Sequence, residues 1–235
     1  MCRDEKRDID NDIEKEVFYR IWLHNIEGIY NADFRKLISV FSSAVDVYTL
    51  DYDKLRQVLS AEKSARICSG HDLSKTHALI SRFRDDNVTV LCPGHPGYPK
   101  KLLNIDDPPE LLYVQGYLPD SLDDTRSNIA IIGSRNPDAY GREYAIHFAR
   151  RLSELGFNVI SGLARGIDGC SHKGALDAGG YTAGILGCGL NHIYPKENIS
   201  LYDAMAKTGA IISEYAADTP PLAAQFPKQG EKAAP

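Results

Sequence analysis

Two arginines set beside glycines, each just after an apolar run, are the residues of this chain best suited to chemistry. Arg135 closes "GSR" (133–135), and Arg165 lies inside "SGLARGID" (161–168). A third glycine turn, "GCGLNH" (187–192), follows another apolar run. Glycine lets backbone amides come close to an anion, and a helix N-terminus adds roughly half a positive charge. A guanidinium can then hold a phosphate through two parallel hydrogen bonds. The candidate phosphate-binding set is therefore Gly133, Ser134, Arg135, Gly162, Arg165, Gly166, Gly187 and Gly189. Glycine turns also serve packing alone; three converging at one sheet edge, two of them with arginine, favour a ligand.

The elements that must position these turns are legible from Asn128 onward. "NIAIIG" (128–133), "FNVISG" (157–162), "YTAGILG" (181–187) and "AIISEY" (210–215) are continuous apolar runs suited to buried parallel strands. Helical spacing separates them. Ala145, Phe148, Ala149, Leu152 and Leu155 fall on one predicted face, a second helix follows "GID" with Asp168 as its expected cap, and "NISLYDAMAKTG" is a third. Strands alternating with helices predict an α/β, Rossmann-like doubly wound parallel sheet, with ligands at the carboxyl ends of the strands.

Upstream, residues 1–12 alternate charges with little apolar content and read as a disordered tail. Residues 13–85 form a predicted small helical domain, with Val17, Ile21, Leu37, Val40 and Phe41 at helical spacing. Its "IEGIYNADF" (26–34) suggests a helix-hairpin-helix, although Tyr30 stands where a second glycine would, which favours a plain helix turn. Residues 86–127, rich in proline and glycine with two short β-like runs, form a predicted connector packing on the sheet. Residues 128–235 form the predicted Rossmann-like domain.

Composition narrows the function. No window reaches the roughly 18 apolar residues of a membrane span, and the charged start lacks a signal peptide's apolar core, so a cytoplasmic chain with no membrane partner is expected. Five scattered cysteines without a C-x-x-C pair suggest reduced thiols and no zinc. The net charge of -5 comes from residues 1–127, with 17 basic and 22 acidic side chains against 10 of each beyond, so a polyanion site must be local. A dinucleotide fingerprint is missing, because the first turn reads "GSRNPDAYG" and the second strand ends in Ser161-Gly162. The P-loop, the G-x-S-x-G elbow and the H-E-x-x-H helix are missing too, so no metal, no cofactor and no enzyme activity are expected. His172 and His192 lie in candidate loops, but with no partnered nucleophile they suit a capping or phosphate-contacting role better than catalysis. Tyr140 and Tyr181 are expected to pack.

"AIIGSRNPDAYG", "VISGLARGIDGCSHKGAL", "GILGCGLNHIYPKEN" and "IISEYAADTPPLAAQFP" resemble successive blocks of the DNA-processing protein A family (DprA, also called Smf). "GYPKKLLNIDDPPELLYVQG" resembles that family's connector, so the resemblance covers about residues 15–227. It implies binding of single-stranded DNA during natural transformation, protection of that DNA, and loading of the RecA recombinase. It also implies a phosphate pocket at Gly133, Ser134 and Arg135, a basic turn at Arg165 with Gly162 and Gly166, and a base-contacting aromatic at Phe226. Lys173 joins the set, with a solvated helix residue as its alternative. After "FP" the family pattern continues into "RNR" and further strands and helices that supply a homodimer surface; here the sequence reads "KQGEKAAP". That departure leads to the expectation of a shortened member, its Rossmann-like domain incomplete at the C-terminus and a homodimer not expected to be retained, with an inert remnant, or a nucleotide-processing enzyme on a related fold, as the alternative functions.

Overall fold

The computed structural model describes residues 2–123 and 127–222, with side chains described from residue 12 onward except 121 and 123. The chain divides into two compact units: Met1–Asp86 with Val90–Tyr98 and Asp106–Leu111, and Asn87–Thr89 with Pro99–Ile105 and Leu112–Pro235.

The smaller unit carries six helices: α1 (Cys2–His24), α2 (Asn31–Phe41), α3 (Ala44–Tyr48), α4 (Tyr52–Arg56), α5 (Ala61–Ser69) and α6 (Ser74–Asp85). Helix α1 begins at Cys2, inside the segment whose charges suggest a tail. No glycine or proline interrupts residues 2–27, so a helix anchored by the buried Ile21, Trp22 and Leu23 propagates back without a break. Trp22, Phe34, Leu37, Val47, Leu55 and Ile67 form one core, each stabilising the unit by about 1.5–3 kcal/mol through burial, while Val40 faces outward. Ser43, Asp51 and Ser60 cap α3, α4 and α5 by accepting an amide three residues on. In the turn at Gly28, the Ile29 amide donates to Ile26 and the Tyr30 amide to the Asp33 carboxylate. Both amides are used within the turn, as a structural helix turn requires.

A mixed sheet of six strands runs in the order β1-β2-β6-β5-β4-β3, with β2 to β6 in the larger unit. The strands are β1 (Val88–Leu91), β2 (Leu112–Gly116), β3 (Asn128–Ala130), β4 (Asn158–Ser161), β5 (Thr182–Leu186) and β6 (Ala210–Ser213). Helices α7 (Ala139–Glu154), α8 (Ile167–Asp177) and α9 (Ile199–Thr208) cross between them. Strands β3 to β6 pair in parallel and in chain order, as β-α-β crossovers dictate. Strand β2, predicted as part of a connector lying on the sheet, is inside it: Tyr113 pairs with Ser213 and Gly116 with Ala210, antiparallel. Leu112, Tyr113 and Val114 are buried, and inserting them beside β6 satisfies their backbone groups as surface packing would not.

Helix α7 buries a different stripe from the predicted one. Ala145, Ala149 and Ser153 face inward, whereas Phe148 (57%) and Leu155 (68%) are exposed. The cause is the close approach of α8: a Cβ at Gly174 would lie 2.3 Å from the Ile146 carbonyl oxygen and 3.0 Å from the Ala149 methyl. Only small residues fit that seam, so the larger side chains turn outward.

Candidate nucleic-acid interface

The three glycine turns leave β3, β4 and β5 at their carboxyl ends, and the first two touch. Gly166 has φ +88°, and a Cβ there would meet the Ser134 carbonyl oxygen at 2.3 Å and that of Arg135 at 2.7 Å. Glycine is thus required at 166 both for its left-handed backbone and for the approach of the neighbouring turn. The Ile167 amide donates to the Ser134 oxygen at 3.1 Å and closes the contact. Asp138 caps α7, its carboxylate accepting the Gly141 amide at 2.7 Å, which fixes the far end of the first turn.

Asp168, expected to cap its own helix, does something else. It is the second residue of α8, buried, and accepts the Gly162 amide at 3.1 Å. Burial pushes its carboxyl above the ordinary carboxylate value, against the lowering effect of nearby polar hydrogens. Ser161 Oγ donates to the Ile131 carbonyl at 2.6 Å, tying the ends of β3 and β4 together. Asn198, which sequence reasoning passes over, ties the segment before α9 to the second turn: its Nδ2 donates to Leu163 O at 3.0 Å and Ala164 O at 3.2 Å. It lies in "YPKEN" ahead of α9, and its only sequence signal is that position before a helix.

These bonds change the chemistry of the turns. The amide of Gly162 points at Asp168, that of Gly169 at Ala164 O, and that of Gly189 at Thr219 O. Expected to face an anion, these amides serve as scaffold instead. Arg135, Asn136, Arg165, Gly187, Tyr194 and Glu197 line a cavity of about 290 Å³ with Gly162, Ala164, Leu186, Cys188 and Pro195. Arg165 Nε lies 3.4 Å from Glu197 Oε1, a pair about half exposed to solvent. Tyr194, half exposed at this cavity, is an aromatic that sequence reasoning does not single out.

Other expected residues go elsewhere. Gly189 does not line the cavity; it lies under the following loop, where a Cβ would meet the carbonyl oxygens of Ala216 and Ala217 at 2.2 Å. Lys173 pairs with Asp177 at 2.7 Å on the exposed side of α8, away from the cavity lining. Phe226 lies outside the described residues. His172 is fully buried; its Nδ1 donates to Thr182 Oγ1 at 2.7 Å, because that hydroxyl spends its own proton on Val159 O. Its pKa is lowered to about 3 by desolvation, which keeps the ring neutral. His192 Nε2 bonds the Asp218 carbonyl at 3.0 Å. Tyr181 packs as expected, its hydroxyl donating to Tyr117 O at 2.8 Å, but Tyr140 is exposed and its ring centroid lies 4.1 Å from that of Tyr144. The described residues contain no metal-ligand cluster, and none of their helices is long and apolar enough to cross a membrane.

The α/β unit is Rossmann-like in form, and adjacent strand ends bring two arginines to one cavity. The family follows from comparison. A sequence profile of "DNA recombination-mediator protein A" matches residues 89–231, and the chain belongs to that family. It is 36% identical over 153 residues to the DNA processing protein DprA of Bacillus subtilis, covering 65% of this chain and 51% of that one. It is 40% identical over 133 residues to protein Smf of Escherichia coli, covering 56% and 35%. The chain thus spans about half or less of the length of these relatives. The X-ray structure of DprA from Streptococcus pneumoniae superimposes with a TM-score of 0.74 at 26% identity, covering 90% of this chain and 72% of that one. A Helicobacter pylori structure described as showing the single-stranded DNA binding mode of DNA processing protein A aligns with a TM-score of 0.54 at 32% identity, covering 62% and 64%.

Proposed function

We propose that this chain binds single-stranded DNA in the cavity at the ends of β3, β4 and β5. The observation that carries this reading is the placement of Arg135 and Arg165, from two turns in contact, on one cavity. Guanidinium groups on the backbone phosphates and an exposed ring such as Tyr194 against a base make the usual sequence-tolerant mode of single-strand binding. The Helicobacter pylori neighbour, whose described subject is single-stranded DNA binding, supports the choice of ligand. The role is binding rather than bond cleavage, since His172 is sealed in the core and His192 is spent on a carbonyl. Protection of incoming DNA in the cytoplasm and RecA loading are further parts of the proposal and rest on the family resemblance.

The test is fluorescence anisotropy of a labelled oligothymidylate at two salt concentrations. Binding should weaken with salt, and Arg135→Ala or Arg165→Ala should each lower affinity about tenfold and reduce the log–log salt slope by about 0.7 per lost phosphate contact. Equal binding by wild type and Arg135→Glu, or no binding by the folded chain, would refute the proposal.

A further inference from the structure

We infer that Asn198 is the positioning residue of Arg165, a buried clamp that holds the second turn against the segment carrying Tyr194 and Glu197. This rests on the single-strand-binding reading of the cavity. A helix cap that is not made points to the role. Asn198 stands at the N-cap position of α9, where an asparagine ordinarily accepts an amide of its own helix, yet its side chain takes no amide of α9. It is buried, and its Nδ2 donates instead to Leu163 O at 3.0 Å and Ala164 O at 3.2 Å. These are the two carbonyls immediately before Arg165.

The clamp acts where the backbone needs one. Leu163 is buried with φ +53°, a left-handed conformation that a residue other than glycine keeps only where its surroundings hold it there. Gly166 is left-handed as well, at φ +88°, and Arg165 lies between the two. On α8, a Cβ at Gly169 would lie 3.1 Å from Asn198 Oδ1 and 3.2 Å from Nδ2, so a glycine there leaves the side-chain amide room to reach both carbonyls. Asn198 does not itself line the cavity, but Tyr194, Pro195 and Glu197 of its own segment do, and Glu197 Oε1 meets Arg165 Nε at 3.4 Å. One side chain therefore fixes the backbone of Arg165 relative to the wall that faces it. It acts on DNA only through the guanidinium it places.

Asn198→Leu keeps the outline of the side chain, adds no charge and removes both donors. Binding of labelled oligothymidylate is measured by anisotropy on protein shown to be folded by its melting curve, for this variant alone and combined with Arg165→Ala or with Arg135→Ala. The expected result is about fivefold weaker binding alone and beside Arg135→Ala, and no further loss beside Arg165→Ala, where the guanidinium that Asn198 positions is already gone. An equal loss in all three backgrounds would assign Asn198 to the fold at large, and unchanged affinity in the single variant would leave it no role at the site; either overturns the inference. If the Leu variant does not fold, Asn198→Ser, whose hydroxyl donates one bond at most, takes its place with the same expectations. Amide hydrogen exchange is followed at Gly162 and Gly169, which donate to Asp168 Oδ2 and Ala164 O across this turn. If wild type itself fails to bind, the ligand reading falls alone, and exchange decides: faster exchange at those two amides with β5 unchanged upholds the clamp, and unchanged exchange removes it.

Discussion

Glu197 is the residue whose removal should improve binding. Its carboxylate lies 3.4 Å from the Arg165 guanidinium within the cavity, so an incoming phosphate must compete with it. At that distance the Coulomb attraction is about 1.2 kcal/mol in bulk water. Both side chains are more than half exposed, 57% and 53%, and exposed pairs of this kind are worth about 0.2–1 kcal/mol in practice. Glu197→Gln releases that amount to the ligand and removes a repulsion with the phosphate. The expected outcome is a Kd for oligothymidylate about two- to fivefold lower at about 50 mM salt. Because the effect is electrostatic at the surface, it should shrink as salt is raised toward about 1 M, where the screening length falls to about 3 Å. Anisotropy titrations of wild type and variant across that range measure both quantities. Weaker binding by the variant would mean that Glu197 orients Arg165 rather than competing for it. A gain independent of salt would mean that the carboxylate acts through the conformation of the third turn.

Two further outcomes follow from the packing. Gly166→Ala forces a Cβ to within 2.3 Å of the Ser134 oxygen at a left-handed backbone, which should cost about 2 kcal/mol or more and lower Tm by roughly 4–8 °C in a thermal melt. His172, with its folded pKa depressed to about 3, makes stability fall with acid. Below its unfolded value near 6.5 the unfolded chain takes up a proton that the folded chain refuses, so about 1.4 kcal/mol is lost per pH unit down to the folded value. Urea melts at pH 7, 6 and 5 should show that slope, and His172→Gln should flatten it; an unchanged slope in the variant would assign the acid sensitivity to other groups.

What the sequence by itself determined is local. Apolar runs and their spacing place β3 to β6 and α7 to α9 within a few residues, because strand and helix periodicities are written in neighbouring positions. The glycine turns and the pair Arg135 and Arg165 are legible for the same reason, and so is the family. The tertiary structure decided the partners. Nothing near Leu112 says that it enters the sheet beside β6, nearly 100 residues later, and a helical pattern cannot say that α7 hides alanines and exposes Phe148 until Gly174 sets the helix spacing. The direction of the turn amides is the sharpest case. Glycines beside a basic residue suggest amides facing a phosphate, yet in the fold that of Gly162 faces Asp168 and that of Gly189 the Thr219 carbonyl. A backbone donor goes to the acceptor that long-range packing brings within reach, and local sequence does not encode that distance.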